Sequence, residues 1–211
     1  MNLLAIETSV PHASLCLYRD GQFAADAHWE AERNHDEFLF PALQRALEEL
    51  GECTALDTVL VGAGPGSYGG VRVALAAGVG VSLVRGASLV AVPSWDQLAR
   101  DGASIVSNAR RGGWTLRKPD GTIDVINCNE LERMTAAGTP VYSVEDAECM
   151  RGTRIPAERC GLRPTARGLV ETWLGMDDAA RAALAAKPAE PIYVRPPHIT
   201  NAHRKPWEIP H

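Results

Sequence analysis

The residues best placed to do chemistry lie in one glycine-rich stretch, Val61, Gly62, Ala63, Gly64, Pro65, Gly66, Ser67, Tyr68, Gly69 and Gly70. Three chemistries use glycines at comparable spacing. Gly64, Gly66 and Gly69 fit GxGxxG, in which backbone N–H groups at a helix start hold a dinucleotide pyrophosphate. That pattern normally opens a βαβ unit, whereas here three strands and a helix come first. The next strand, 88–92, runs into Pro93 and Ser94 without an acid for the ribose. Gly64 and Gly69 also have P-loop spacing, but Gly70 stands at the lysine position, so the β- and γ-phosphates lose their cation. Ser67 sits where a nucleophile elbow places its serine, yet Pro65 stands where GxSxG needs glycine. His12, His28, His35, His198, His203 and His211 are scattered, and none is marked as its base. The remaining reading is structural: glycines let the chain turn hard and let a helix start close to the sheet. Free N–H groups near residues 67–70 would then hold an anion or a partner's carboxylate.

A second candidate is Glu7, Thr8 and Ser9, an acid and two hydroxyls after the first strand. They resemble the first phosphate-binding turn of the actin, hexokinase and Hsp70 nucleotide-binding fold. A turn whose hydroxyls bond to backbone is the competing reading. With Gly66 and Ser67 they make a candidate vestigial anion or nucleotide site. Asp120, Gly121 and Thr122 have the letters of a second phosphate turn but read better as a hairpin turn. No metal site is expected: His198 and His203 are off helical register, and no HxxxH or HExxH occurs. Arg110 and Arg111 beside Gly112 are solvated charges or a contact to a partner or RNA.

Composition narrows the classes. The 211 residues carry a net charge of −5, with 45% hydrophobic content and a mean hydropathy of −0.12. Residues 1–100 hold 12 acidic and 6 basic side chains, against 14 and 15 in residues 101–211. An acidic chain attracts a polyanion weakly, so RNA contact would come through a partner. Five scattered cysteines without a CxxC pair point to reduced thiols. No apolar run approaches a membrane span, and no basic region with an apolar run opens the chain. No membrane contact and a cytoplasmic location are expected.

The elements that must position these residues read clearly in the first half. Residues 2–6, 14–19 and 22–29 form strands, with Asp20 and Gly21 turning the second into the third. A helix follows, with Asn34 and Glu37 as a capping box and Gly51 as its stop. Residues 58–61 form a fourth strand ending in the glycine loop. Residues 71–84 form a helix that is apolar on nearly every face and rich in small side chains, so packing must hold it. Residues 88–92 form a fifth strand, and Ser94 caps a short helix to Arg100. The order β-β-β-α-β-α-β-α gives a mixed sheet with helices on its faces. Later, residues 105–108, 114–118, 123–127 and 141–144 read as strands, 168–174 and 177–186 as helices, and 188–211 as an extended proline-rich tail. The boundary falls at 102/103: an N-terminal subdomain 1–102 and a shorter, irregular subdomain 103–211. No internal sequence repeat is visible.

Together these pieces resemble the TsaB (YeaZ-type) family of bacterial tRNA threonylcarbamoyladenosine synthesis. Residues 3–9 look like its opening strand and turn, and residues 34–41, Asn34 to Pro41, like its histidine-containing helix start. Residues 62–72, from Gly62 through Gly64, Pro65, Gly66 and Ser67 to Arg72, look like its GPGSFTGxR-type loop. Trp95 and Leu98 fall in its short helix, Asn108 to Gly112 resemble a DARRxE segment, and Pro191 to Pro196 its C-terminal segment. Departures are Glu7 for aspartate, Tyr68 and Gly69 for phenylalanine and threonine, Asn108 for aspartate, and a missing glutamate after the arginines.

The resemblance implies an α/β, actin-like ATPase (ASKHA, RNase H-like) fold with two similar mixed-sheet subdomains, the second reduced. It implies a noncatalytic scaffold without cofactor or catalytic residues. Its partners would be a catalytic TsaD-type paralogue and a TsaE-type ATPase, in a complex that transfers a threonylcarbamoyl group to adenosine 37 of tRNA. tRNA is reached through the complex, and the chain is a homodimer when alone. Pairing would use the two helices of the first subdomain, through Phe38, Ala42, Arg45, Val73, Ala74, Ala77, Gly78 and Val81. A glycoprotease-like peptidase or an ATPase of the actin-like fold is the alternative, and a flavin or nicotinamide protein a third.

Overall fold

The structure, a computed structural model, describes residues 1–31, 34–100, 102–109 and 112–194. The first strands are β1 (Leu3–Glu7), β2 (His12–Arg19) and β3 (Gln22–Glu30), followed by α1 (His35–Leu50), β4 (Thr58–Gly62), α2 (Tyr68–Arg85) and β5 (Ser88–Val92). The strand order is β3-β2-β1-β4-β5. The first three strands form an antiparallel meander; β4 and β5 join it in parallel through the α1 and α2 crossovers. Asp20 and Gly21 turn β2 into β3 with φ of 51° and 89°, as a hairpin turn requires.

All five residues of β1 are buried, which follows from its central place and two covered faces. Leu4 and Ile6 pack with Leu39, Leu43, Ala74 and Val81 beneath α1 and α2. Leu3 and Ala5 point the other way, against Leu169, Val170 and Trp173. Those last residues belong to α4 (Ala166–Gly175), introduced here with the rest of the second half: β6 (Ser104–Asn108), β7 (Gly113–Arg117), β8 (Ile123–Asn127), α3 (Cys128–Ala136), β9 (Val141–Ser143) and, after α4, α5 (Asp178–Ala185).

The second sheet has the order β8-β7-β6-β9, again a meander with one parallel strand added beside its first member. The β-β-β-α-β order of the first unit is thus repeated without a visible repeat in sequence. The chain then returns, and α4 packs on β1, β2 and β4 while α5 packs on β5. Its return is fixed by Ala166 N–H donating to Ser14 Oγ at 2.8 Å and Thr165 N–H to Gln97 Oε1 at 2.8 Å. Arg117, buried in β7, pairs with Asp96 at 2.8 Å and ties the second sheet to the segment after β5.

Three local expectations change. Asn34 sits in the left-handed region at φ 59°, so its side chain makes no cap bond, and its carbonyl takes the Glu37 N–H at 3.2 Å. Ser94 caps no helix: its hydroxyl oxygen accepts from Gly64 N–H, and only a short 3₁₀ turn, Asp96–Leu98, follows. Helix α3 went unread, although Asn127 accepts from Glu130 N–H at 3.0 Å as an N-cap should. Among the described residues no helix is long and apolar enough to cross a membrane, and no three potential metal ligands cluster. All five cysteines are free thiols.

Helix α2 is held by fit rather than by propensity. A Cβ at Gly78 would lie 2.6 Å from Val61 Cγ1 and 3.0 Å from Leu89 Cδ1, so glycine is what lets α2 approach the sheet. Gly80, two residues on, has nothing within 4 Å. The pair predicts opposite outcomes in urea denaturation of the isolated chain. Gly78→Ala should lose about 1–3 kcal/mol to overpacking, and Gly80→Ala should gain up to about 1 kcal/mol of helix propensity.

Candidate functional site

The glycine loop and the turn after β1 meet directly. Ser67 N–H donates to the Ser9 carbonyl at 2.6 Å, and the Thr8 hydroxyl donates to the Gly70 carbonyl at 2.7 Å. A Cβ at Gly66 would overlap the Ser9 carbonyl, and one at Gly70 would overlap that of Thr8. The Ser67 hydroxyl accepts from Gly70 N–H at 3.3 Å and so caps α2. Val71 N–H adds a bond to the Ser67 carbonyl at 3.0 Å. The N–H groups of residues 67, 70 and 71 are therefore committed within the chain, and two carbonyl oxygens face the loop from the turn. An anion entering here would meet those oxygens as well as the N–H groups of Tyr68 and Gly69, which take no part in these bonds.

The other walls are equally close. Gly64 N–H donates to Ser94 Oγ at 3.0 Å, and Ser94 N–H to the Gly64 carbonyl at 2.8 Å. Gly64 adopts φ 85° and is followed by a cis bond to Pro65. From the C-terminal end, Ile192 N–H donates to the Ala63 carbonyl at 2.8 Å. That contact lays Tyr193 against Tyr68 with ring centroids 5.1 Å apart. The Arg72 guanidinium lies over the Tyr68 ring at 4.5 Å.

Glu7 lies at the bottom, fully buried at the end of β1. Its Oε1 accepts the Ser9 N–H at 2.8 Å, while Oε2 has no hydrogen-bond partner among the described residues. Gly62, the last residue of β4, faces it, and a Cβ there would overlap the carboxylate. The extra methylene of glutamate therefore fills the space that glycine leaves. Burial pushes the Glu7 carboxyl above its ordinary range, opposed by the Ser9 and Ser94 hydroxyls and the Ser9 and Thr8 backbone. His35, the first residue of α1, is buried beside Gly70. Burial lowers its pKa, against the neighbouring Asp36, and its Nδ1 has no partner among the described residues.

The structure thus brings Glu7, Thr8, Ser9, Gly66 and Ser67 together. The eight residues expected at a pairing surface do not share one. Ala74, Ala77, Gly78 and Val81 turn inward onto the sheet, because their smallness serves the helix–sheet contact. Val73 is half-buried. Phe38, Ala42 and Arg45 line a groove of about 360 Å³ between α1 and β3, with Trp29 and Pro41. The outward face of α2 instead carries Tyr68, Arg72, Ala76, Val79, Gly80, Leu83 and Val84. Leu83 is 78% and Val84 84% exposed. Sequence reading missed this face because a helix apolar all round carries no periodicity to mark its inner side. Arg110, Arg111, Arg195, Pro196, His198, His203 and the rest of the tail lie outside the described residues.

Comparison with known proteins fits this geometry. A family model described as TsaD, tRNA N6-adenosine threonylcarbamoyltransferase, matches residues 29–109. The tRNA threonylcarbamoyladenosine biosynthesis protein TsaB of Escherichia coli (strain K12) is 31% identical over 116 residues, 54% of this chain and 45% of that protein. The match therefore spans less than half of that relative's length. Two solved structures from Pseudomonas aeruginosa overlay most of the chain. An uncharacterized protein with similarity to peptidase YEAZ gives a TM-score of 0.67 at 23% identity, covering 92% of this chain and 99% of its own. YeaZ gives 0.64 at 22% identity, covering 91% and 99%. The fold is accordingly the actin-like, ASKHA-type α/β fold, with two mixed-sheet units flanked by helices. Within that fold the chain resembles the TsaB/YeaZ family of tRNA threonylcarbamoyladenosine biosynthesis.

The buried carboxyl gives a pH signature. A raised folded-state pKa means that the Glu7 contribution is fully present below the unfolded value of 4.5 and is lost as pH rises through the folded value. Glu7→Gln should therefore raise the melting temperature at neutral pH, with the gain shrinking as the pH falls toward 4.5. A pH-independent difference between the two proteins would contradict this.

Proposed function

We propose that this chain is a noncatalytic partner subunit in the formation of threonylcarbamoyladenosine at adenosine 37 of tRNA, pairing with a TsaD-type catalytic paralogue through α1 and α2. The observation that carries the reading is the outward face of α2. Val79, Leu83 and Val84 stand exposed on it, flanked by Ala76 and Gly80. Nothing among the described residues requires glycine at 80, since a Cβ there would meet none of them within 4 Å. A mid-helix glycine costs about 1 kcal/mol relative to alanine, and a partner backbone approaching there gives that cost a function. The family model and the Escherichia coli relative supply the context of TsaD and of this tRNA modification.

In this reading the phosphate turn is a closed structural joint. Ser67 spends its hydroxyl oxygen on the α2 cap, and Glu7 is beyond reach of any substrate, so neither peptidase nor ATPase chemistry gains support. A TsaE-type ATPase joins the pair, tRNA is contacted through the complex, and the chain self-associates through the same face when alone. The division at residue 102/103 leaves both pairing helices, α1 and α2, in the first unit.

Leu83→Asp tests the reading. The position is 78% exposed, so the isolated variant should melt like the wild type at concentrations where both are monomeric. Placed at a buried seam, an unpaired carboxylate costs about 3 kcal/mol or more, so co-purification with the TsaD-type paralogue should fall by about 100-fold in affinity. Wild-type recovery of the complex would remove the α2 face from the proposal.

A further inference from the structure

One cation stands on the outward face of α2. The helix contains two charged residues, Arg72 and Arg85. Arg85 is committed to the Gly51 and Thr54 carbonyls at 2.8 and 2.7 Å. Arg72 is exposed and forms no ion pair with a described residue; its contact is the face of Tyr68. Tyr68 in turn leans on Tyr193, the two rings tilted by 30° and each 45% exposed. Tyr193 reaches that place because its neighbour Ile192 is bonded to Ala63 at the end of β4, and Ala189 packs on the main core. A segment near residue 190 thus completes a three-residue cluster on a helix whose own sequence supplies only two members.

The arrangement has the features of a recognition anchor. A guanidinium resting on an aromatic ring keeps its donors free while losing rotamer freedom in advance, so pairing costs less ordering. Tyrosine and arginine dominate the energetic centres of protein interfaces. Positions 68, 72, 76, 79 and 83 recur at helical spacing, so the cluster continues the apolar stripe that ends in Leu83. The stripe suits a helix as its partner. Charge names what that helix carries. Residues 29–109, which contain α1 and α2, are the residues that match the TsaD model, so the paralogue builds an equivalent helix pair from related sequence. In this chain the helix beside α2 exposes Asp36 and Glu37 near its start, besides Glu48 and Glu49, which bond to Gln44 and Arg19, and one cation, Arg45. Pairing of like with like about a pseudo-two-fold axis sets such a carboxylate-bearing helix against the partner's α2.

We infer that Arg72, steadied over Tyr68 by Tyr193, is the group through which the α2 face engages a carboxylate on a helix of its TsaD-type partner, and that the segment carrying Ile192 and Tyr193 thereby belongs to the pairing site. This rests on the pairing role proposed above.

Calorimetric titration of the full chain with the TsaD-type paralogue, at low and at high salt, tests it. Arg72→Ala should weaken binding by about 10-fold or more and flatten its salt dependence. Arg72→Lys should recover part of the affinity and most of the salt dependence. Tyr193→Ala should weaken binding several-fold through loss of the support, and Tyr193→Phe should behave as wild type. Melting temperatures of the free variants establish that each is folded, and Leu83→Asp serves as the control for the face itself. If Leu83→Asp abolishes binding while Arg72→Ala binds with wild-type affinity and salt dependence, the anchor is overturned and the pairing role stands. If Tyr193→Ala alone binds as wild type, the C-terminal segment is excluded from the site. If Leu83→Asp also binds as wild type, the pairing role itself is overturned.

Discussion

The close approach of the glycine loop to the turn after β1 is the constraint from which the rest follows. Ser67 bonds to Ser9, Thr8 bonds to Gly70, and backbone stands so near that neither Gly66 nor Gly70 has room for a Cβ. That contact converts a turn shaped like a phosphate grip into a joint between β1 and the start of α2. Glu7 closes the joint from below against Gly62. The N–H groups of Ser67, Gly70 and Val71 are spent within this joint, and its acid is buried.

Rigidity at the loop fixes where α2 begins and how it lies. The inner side meets the sheet through Ala74, Ala77, Gly78 and Val81, so the outer side is defined by exclusion. There the chain leaves Val79, Leu83 and Val84 in solvent, side by side on one helix face, the kind of exposure that marks interaction surfaces. The same loop bonds the C-terminal segment at Ala63 and brings Tyr193 to the head of the outer face. Helix placement, exposed stripe and aromatic cluster are therefore consequences of one joint.

Much of this was legible in the residues. Asp20 and Gly21 mark the hairpin, the apolar run of β4 leads into the glycine loop, and the β-β-β-α-β order fixes a mixed sheet. The gathering of Glu7, Thr8 and Ser9 with Gly66 and Ser67 follows from two strand ends lying side by side in a parallel pair. What stayed hidden has physical causes. The inner and outer sides of α2 are equally apolar, so small residues that fit the sheet read as residues that fit a partner. Helix α3 is nine residues long and mostly exposed, which leaves only its Asn127 cap as a signal. The repeated topology survives because backbone pairing tolerates side-chain replacement, so it leaves no repeat in the letters. Tyr193 joins the site by a tertiary contact with residues more than a hundred positions earlier, and no local pattern encodes that.

The most direct measurement is the accessibility of position 83 in the assembled pair. Leu83→Cys, labelled with a maleimide and read by mass spectrometry at that position, should react rapidly in the free chain at a concentration low enough to keep it monomeric. With saturating TsaD-type paralogue it should become protected, while the exposed Cys128 and Cys149 of the second unit continue to react. Unchanged labelling at position 83 in a complex shown to be fully formed would contradict the assignment of the α2 face as the surface that this chain exists to present.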